Sequence, residues 1–411
     1  MRISVIAIGD ELLIGQVTDT NSGEIARMIQ PAGWELRAVH VVHDSAEEIR
    51  KAIDRAMAES EVVLTTGGLG PTKDDITKKV LCDYFGGELR YDNSVLENIL
   101  TVFEKRGLTI NKLTEEQALV PTSCRVIQNR VGTAPIMWFE REGKVLVSMP
   151  GVPFEMREMM HSEVLPQLLA HFGSDVSIGH RTVIITDMTE SAVAMALDDW
   201  EENLPAGIHL AYLPQPGLIR LRLDGQSTDK QLLDNELDRL TNELRERFGE
   251  NVLCTEDMKP EEIVLQRLRK HNYTMATAES CTGGNIAHRI TMIAGCSDVY
   301  LGSVVSYANE VKTGLLGVVA EVIERYGAVS EEVARLMAEG ATRATGADCS
   351  VATSGIAGPG GSVEGKPVGT VCIAWHTPEG TWSETFHFPG SRDRVIDRAS
   401  TTALLRLAQK L

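Results

Sequence analysis

The chain is 411 residues long, 43% hydrophobic and 24% charged, which is globular composition and too much length for one ordinary domain. A formal charge of −18 argues against a surface that neutralises many nucleic-acid phosphates, and no run approaches the roughly 18 uninterrupted apolar residues of a membrane span. The seven cysteines are odd in number and include no C-x-x-C pair, so neither a disulfide framework nor a structural zinc site is expected. Met1 leads straight into a strand-like segment with no charged leader, which points to a cytoplasmic protein.

From the N-terminus, β-rich runs alternate with amphipathic stretches. Strands are predicted over 3–8, 37–42, 62–66 and 145–149, and helices over 22–29, over 46–58 and from near Asp74. This alternation predicts a mainly parallel sheet with helices on both faces, a three-layer α/β/α domain over residues 1–172. Residues 173–253 read as a small α+β connector, with strands at 182–186, 209–212 and 218–223 and helices at 190–200 and 229–248. Its Leu233, Leu237, Leu240 and Leu244 recur at helical spacing as core residues, in a run too short for a long coiled coil. Residues 254–411 predict a second α/β domain. It has a helix over 260–271, strands at 273–278, 300–307 and 348–354, and helices over 309–316, 319–326 and 330–345. A hairpin of 368–375 with 381–388 and a closing helix over 392–411 complete it. Residues 255–411 carry 15 Lys and Arg against 18 Asp and Glu, a charge of −3 that leaves −15 for residues 1–254. A near-neutral domain of this kind can hold a local basic pocket for a small anion.

Two segments carry chemistry. The loop Thr65-Thr66-Gly67-Gly68-Leu69-Gly70-Pro71-Thr72-Lys73-Asp74-Asp75 follows a strand and opens a helix. There, glycines admit a ligand to the backbone and helix-start N–H groups suit phosphate. Its spacing is neither a dinucleotide fingerprint nor a P-loop. Asp74 and Asp75 are either favourable first-turn charges or holders of a divalent cation against a pyrophosphate.

In the last domain, Ser280 stands where a strand hands over to a helix, and Lys312 follows the next strand, which commonly lies beside the first. A lysine desolvated beside a serine serves as its base. The plainer alternatives are an N-cap for Ser280 and a solvated helix position for Lys312. Cys281 is a rival nucleophile at the same helix start, ranked lower because no histidine stands by it. The glycine loop after Ser354 suits a phosphate, and Arg392 and Arg394 open the closing helix with forks that suit phosphate or carboxylate.

Longer motifs add a resemblance. Gly9-Asp10-Glu11-Leu12-Leu13, Asp19-Thr20-Asn21, the loop from Gly67 to Thr77 and Met149-Pro150-Gly151-Val152-Pro153 resemble the molybdopterin-binding (MoCF-like) domain in the version that fronts CinA proteins. Ala278-Glu279-Ser280-Cys281-Thr282-Gly283-Gly284, Tyr307-Ala308-Asn309-Glu310-Val311-Lys312, Gly327-Ala328-Val329-Ser330, Ser354-Gly355-Ile356-Ala357-Gly358-Pro359 and Lys366-Pro367-Val368-Gly369-Thr370-Val371 resemble the CinA C-terminal family, which includes nicotinamide mononucleotide deamidases.

The resemblance implies a CinA-type amidohydrolase domain behind a MoCF-like domain. In the amidohydrolase half it implies Ser280 as nucleophile, Lys312 as base and Tyr307 in support, with substrate bound by Thr282, Gly283, Ser354, Gly355, Gly358, Arg392 and Arg394 and no cofactor needed. Helix-start and glycine-loop N–H groups are expected to hold the oxyanion. In the front half it implies metal-dependent cleavage of ADP-ribose. Asp10, Glu11, Asn21, Gly67, Gly68 and Thr72 are expected at the nucleotide, and Asp74 and Asp75 at a divalent metal (Mg, Mn or Co), with potassium as a further candidate ion. The expected partners are small nucleotides and a second copy of the chain as a homodimer, without nucleic acid or membrane. Two other readings compete: an ADP-ribose pyrophosphatase active in the front half alone, and a non-catalytic nucleotide-binding scaffold associated with competence.

Overall fold

The computed structural model describes residues 1–72, 75–105, 107–173 and 177–411. They divide into two units, 1–179 with 225–234, and 180–224 with 235–411.

The first unit holds β1 (Arg2–Ile8), β2 (Glu35–Val42), β3 (Val62–Thr66), β4 (Leu89–Tyr91), β5 (Leu119–Pro121), β6 (Arg125–Ile127), β7 (Ile136–Arg141) and β8 (Lys144–Met149). The main sheet runs β2-β1-β3-β8-β7-β6, parallel through β2, β1, β3 and β8 and antiparallel at β7 and β6. β1 is buried from Ile3 to Ile8 because helices cover both its faces, which is why it reads as an apolar run interrupted only by Ser4, whose hydroxyl pairs with that of Ser60 at 2.7 Å. Ile3 and Val5 pack with Ile25 and Met156, and Ile6 and Ile8 with Ile49 and Ile53. β2 alternates exposed and half-buried residues as an edge strand does. The chain leaves β1 for β2 on one side and returns to β3 on the other, so the loops after β1 and β3 diverge and leave a crevice.

Two sequence expectations change in this unit. The helix predicted from near Asp74 starts at Thr77, because the Asp75 carboxylate turns back to accept from the Thr72 amide at 2.9 Å. The sheet also extends beyond β8 through the pair β6–β7, and a separate ribbon joins β4 to β5; β4, β5 and β6, at three residues each, are too short for their periodicity to declare them.

The connector consists of β9 (Ser177–Thr186), β10 (Ile208–Gln215), β11 (Leu218–Ser227) and β12 (Val252–Cys254) in the order β10-β11-β9-β12. Helices Glu190–Glu201 and Lys230–Phe248 accompany them. Leu237, Leu240 and Leu244 are buried.

The last domain is built on β13 (Met275–Glu279), β14 (Tyr300–Val305), β15 (Cys349–Gly355), β16 (Thr370–Thr377) and β17 (Gly380–His387). Their order is β14-β13-β15-β16-β17, with β13 parallel to both neighbours and β16 and β17 antiparallel. Again the chain reverses direction across its first strand, so the ends of β13 and β15 open a crevice. One face packs on helices Pro260–His271, Asn285–Thr291 and Arg392–Lys410 through Ile263, Leu268, Ile286 and Leu404. On the other, Ala276, Ala278, Ala352 and Ala374 meet Ala334, Ala338 and Ala341 of helix Glu331–Thr345.

Small residues bring that helix unusually close to helix Asn309–Leu316. A Cβ at Gly340 would lie 2.1 Å from the Leu316 carbonyl oxygen. Gly340→Ala is expected to cost about 1–3 kcal/mol as backbone is forced apart and to lower the thermal midpoint. It should also displace Lys312, which shares a helix with Leu316, and so reduce turnover. A variant with wild-type midpoint and turnover would show that the two helices can separate freely.

Candidate active site

Ser280 follows β13 and keeps the ladder to β15 through its amide, which donates to the Thr353 carbonyl at 2.9 Å. Ser306 and Tyr307, placed by the sequence within a strand, form the turn after β14 instead, and they lead into the helix that carries Lys312. Lys312 is 1% exposed. Its Nζ lies 3.2 Å from Ser280 Oγ and donates to the carbonyls of Ser306 at 2.7 Å and Tyr307 at 3.3 Å. Burial pushes its pKa below the usual 10.5, against smaller opposing effects of Cys281 and Glu310. A neutral amine has two N–H groups and one lone pair. In the neutral form, with two carbonyls taking the N–H groups, the lone pair would be left for the serine hydroxyl.

A cavity of about 210 Å³ surrounds the pair and is also lined by Tyr307, Asn309, Ser354, Gly355 and Arg392. Ser354 Oγ donates to the Ala328 carbonyl at 2.6 Å and so fixes the opposite wall. Arg392 spans the mouth, donating to the Gly358 carbonyl at 2.7 Å and to the Tyr307 hydroxyl at 3.1 Å. Gly358 therefore reaches the site through Arg392. Its φ of +88° and a Cβ position 2.6 Å from Val368 Cγ1 admit only glycine.

Three expected contacts are not made. Arg394 lies outside the cavity and is exposed, because two residues along a helix turn a side chain by about 200°. Thr282 turns away, its hydroxyl donating to Glu279 at 2.7 Å. Gly283 sits in the intervening turn with φ +62°. The helix-start amides expected to hold an oxyanion are also taken. Glu279, fully buried, accepts from the amides of Gly284 at 3.1 Å, Ile286 at 3.0 Å and Ala287 at 2.8 Å. The sequence signal for this was a lone acidic residue ending an apolar strand before a helix. Among the described residues, the Cys281 and Ala357 amides, both in the cavity lining, donate to no other residue. Burial pushes the Cys281 thiol up to about 12, so it has almost no thiolate at neutral pH.

The crevice of the first unit encloses about 540 Å³ and is lined by Glu11, Asn21, Gly67, Gly68 and Asp75. At Gly67, φ is +103° and a Cβ would lie 2.1 Å from the Ile8 carbonyl oxygen, so the β1 and β3 loops meet only because that residue is glycine. Asn21 Nδ2 donates to the Gly151 carbonyl at 2.8 Å. Asp10 points elsewhere, with its carboxylate 2.8 Å from His43 Nδ1. Thr72 lies behind the loop, held by Asp75; Asp74 lies outside the described residues. Asp44, unforeseen because it follows β2 far along the chain, joins the lining. Its pKa is raised by burial and by the charges of Asp10, Glu11 and Asp75, against a hydrogen bond from the Asp10 amide. Among the described residues no three His, Cys, Asp or Glu side chains form a metal-ligating cluster. Crowded carboxylates without such a cluster fit a hard cation held by one or two of them, with water and phosphate oxygens completing its shell.

Residues 4–170 match the family model described as Probable molybdopterin binding domain, residues 180–253 the damage-inducible protein CinA KH domain, and residues 257–411 the CinA C-terminal domain. A CinA-like protein of Flavobacterium psychrophilum is 41% identical over 98% of this chain and 97% of its own. Another, from Cytophaga hutchinsonii, is 42% identical over 99% and 97%. A solved structure of the protein CinA from Thermoplasma acidophilum aligns with 40% of this chain and 96% of its own at 35% identity, with a TM-score of 0.37. With two full-length relatives above 40% identity and three successive domain models matched in order, the chain belongs to the CinA family.

Proposed function

We propose that the C-terminal domain hydrolyses nicotinamide mononucleotide to nicotinic acid mononucleotide and ammonia. The observation that carries this reading is the buried Lys312 amine, 3.2 Å from Ser280 Oγ with its N–H groups given to carbonyls. Lys312 takes the proton of Ser280 as Oγ bonds to the carboxamide carbon. The amides of Cys281 and Ala357 are the available donors for the oxyanion. Lys312 then passes its proton to the leaving nitrogen, the C–N bond breaks and ammonia departs. Water adds to the acyl-serine, giving one proton to Lys312, which returns it to Ser280 as the acid leaves. Arg392 and Tyr307 at the cavity mouth suit the ribose phosphate.

None of these steps calls for a metal. A divalent cation in the first unit would supply charge neutralisation to a pyrophosphate such as that of ADP-ribose, held by one or two carboxylates of the acidic rim, with Asp75 and Asp44 as the candidates. The two halves separate cleanly by chelation. Ammonia release from nicotinamide mononucleotide by the full chain is expected to continue in EDTA. Absence of release from folded protein would overturn the deamidase reading, and abolition of release by EDTA would count against this division of labour between the halves.

A further inference from the structure

We propose that a second cavity, between the connector sheet and the closing helix, is an effector site for a nucleoside monophosphate. It encloses about 590 Å³, within the range of small-ligand pockets. One wall is a face of helix Arg392–Lys410 that presents Arg398, Thr402, Leu405 and Arg406; the next is Phe386 and Phe388. The connector closes both ends. Gly217 brings the β10–β11 turn so near that a Cβ there would lie 3.2 Å from Leu405 Cδ1. At the other end Asp187, a non-glycine residue at φ +60°, is held by Arg406 at 2.8 Å and Gln409 at 2.6 Å. Such constrained backbone is characteristic of ligand clamps and switches.

What lies between the ends selects the ligand. Phe386 and Phe388 stack with centroids 5.6 Å apart and planes 11° apart, and Trp375 meets Phe386 edge-on behind them at 6.4 Å. This is a rigid platform for a planar base. Arg406 is matched by Asp187. Arg398 makes one hydrogen bond among the described residues, to the Pro389 carbonyl at 3.3 Å, so most of its fork is available for an anion. A base on the phenylalanines and a phosphate on Arg398 describe a mononucleotide.

The same arginine touches the route to the proposed active site. Pro389 lies in the short segment between Phe388 and Arg392, and Arg392 bridges Gly358 and Tyr307 at the catalytic mouth. A phosphate that draws Arg398 away releases this segment and alters turnover; this regulatory part rests on the deamidase reading, whereas binding itself does not.

The test is calorimetric titration of the full chain with AMP and, separately, with nicotinic acid mononucleotide. Wild type, Arg398→Ala and Arg392→Ala are compared. Loss of one or two charge-assisted hydrogen bonds should weaken nucleotide binding by about ten- to a hundredfold in Arg398→Ala and leave it intact in Arg392→Ala. Ammonia release without added nucleotide should shift in Arg398→Ala in the sense that AMP produces in wild type, since both remove the hold on the Pro389 carbonyl, and AMP should shift it no further in the variant. Whichever nucleotide shows the Arg398 dependence identifies the source. Identical isotherms in wild type and Arg398→Ala, or weakening only in Arg392→Ala, would overturn the site. If Arg398→Ala does not fold, hydrogen exchange on wild type decides, since nucleotide must protect residues 187–190 and 386–389. A wild type that binds AMP through Arg398 but releases no ammonia would sink the deamidase reading and leave the site standing.

Discussion

Ser280→Ala should reduce ammonia release from nicotinamide mononucleotide by at least about a thousandfold, and Lys312→Met should do the same, because nucleophile and base act as one unit. Ser280→Ala removes a single oxygen and should fold like the wild type. Lys312→Met leaves the Ser306 and Tyr307 carbonyls without their donor, so its thermal midpoint must be recorded beside its rate. The pH profile gives a further readout. Lys312 works as the neutral amine, and burial holds its pKa below 10.5, so kcat/KM should rise with pH and level off below the range of an ordinary lysine. Activity is lost as pH falls through that lowered pKa and the amine becomes charged. Release that survives in Ser280→Ala would transfer the chemistry to another group. Cys281, with its thiol held near 12, would then have to be tested by its own alanine variant.

The second large effect is on stability. Glu279→Ala should destabilise the last domain by about 3–5 kcal/mol, the usual consequence of removing one side of a buried charged hydrogen-bond network. The carboxylate gathers three backbone amides and the Thr282 hydroxyl, and of these donors Thr282 and Ile286 are buried away from water. Glu279→Gln should recover only part of the loss, since its NH2 group meets donors where the carboxylate offered a second acceptor. Urea unfolding gives the magnitude, and amide exchange at Gly284, Ile286 and Ala287 locates it. A midpoint within experimental error of wild type, with those amides still protected, would mean that the helix start is held by something else.

Much of this was open to reading because it follows from local rules. Short, mostly apolar runs marked the central parallel strands β1, β3 and β13, and a glycine loop or a serine after such a strand marked a crevice. Neighbouring parallel strands then brought Lys312 to Ser280. What escaped was set by long-range pairing or by helical phase. Asp44 reaches the front crevice only because β2 lies beside β1. Arg394 points away because it is two residues, not three or four, beyond Arg392. The helix-start amides of Gly284, Ile286 and Ala287 are occupied, which the sequence does not reveal because a buried acid in a strand looks unremarkable until its partners are known, whereas the glycine loop still offers the Ala357 amide.

The state of Cys281 bears on how the proposed active site withstands oxidation. Peroxide attacks thiolates, not buried thiols. The one sulfur beside the proposed nucleophile is 5% exposed and protonated throughout the physiological range, while the reacting groups are a hydroxyl and an amine. An oxidant that silences thiol-dependent amidases is therefore expected to leave the Ser280–Lys312 pair chemically unaltered.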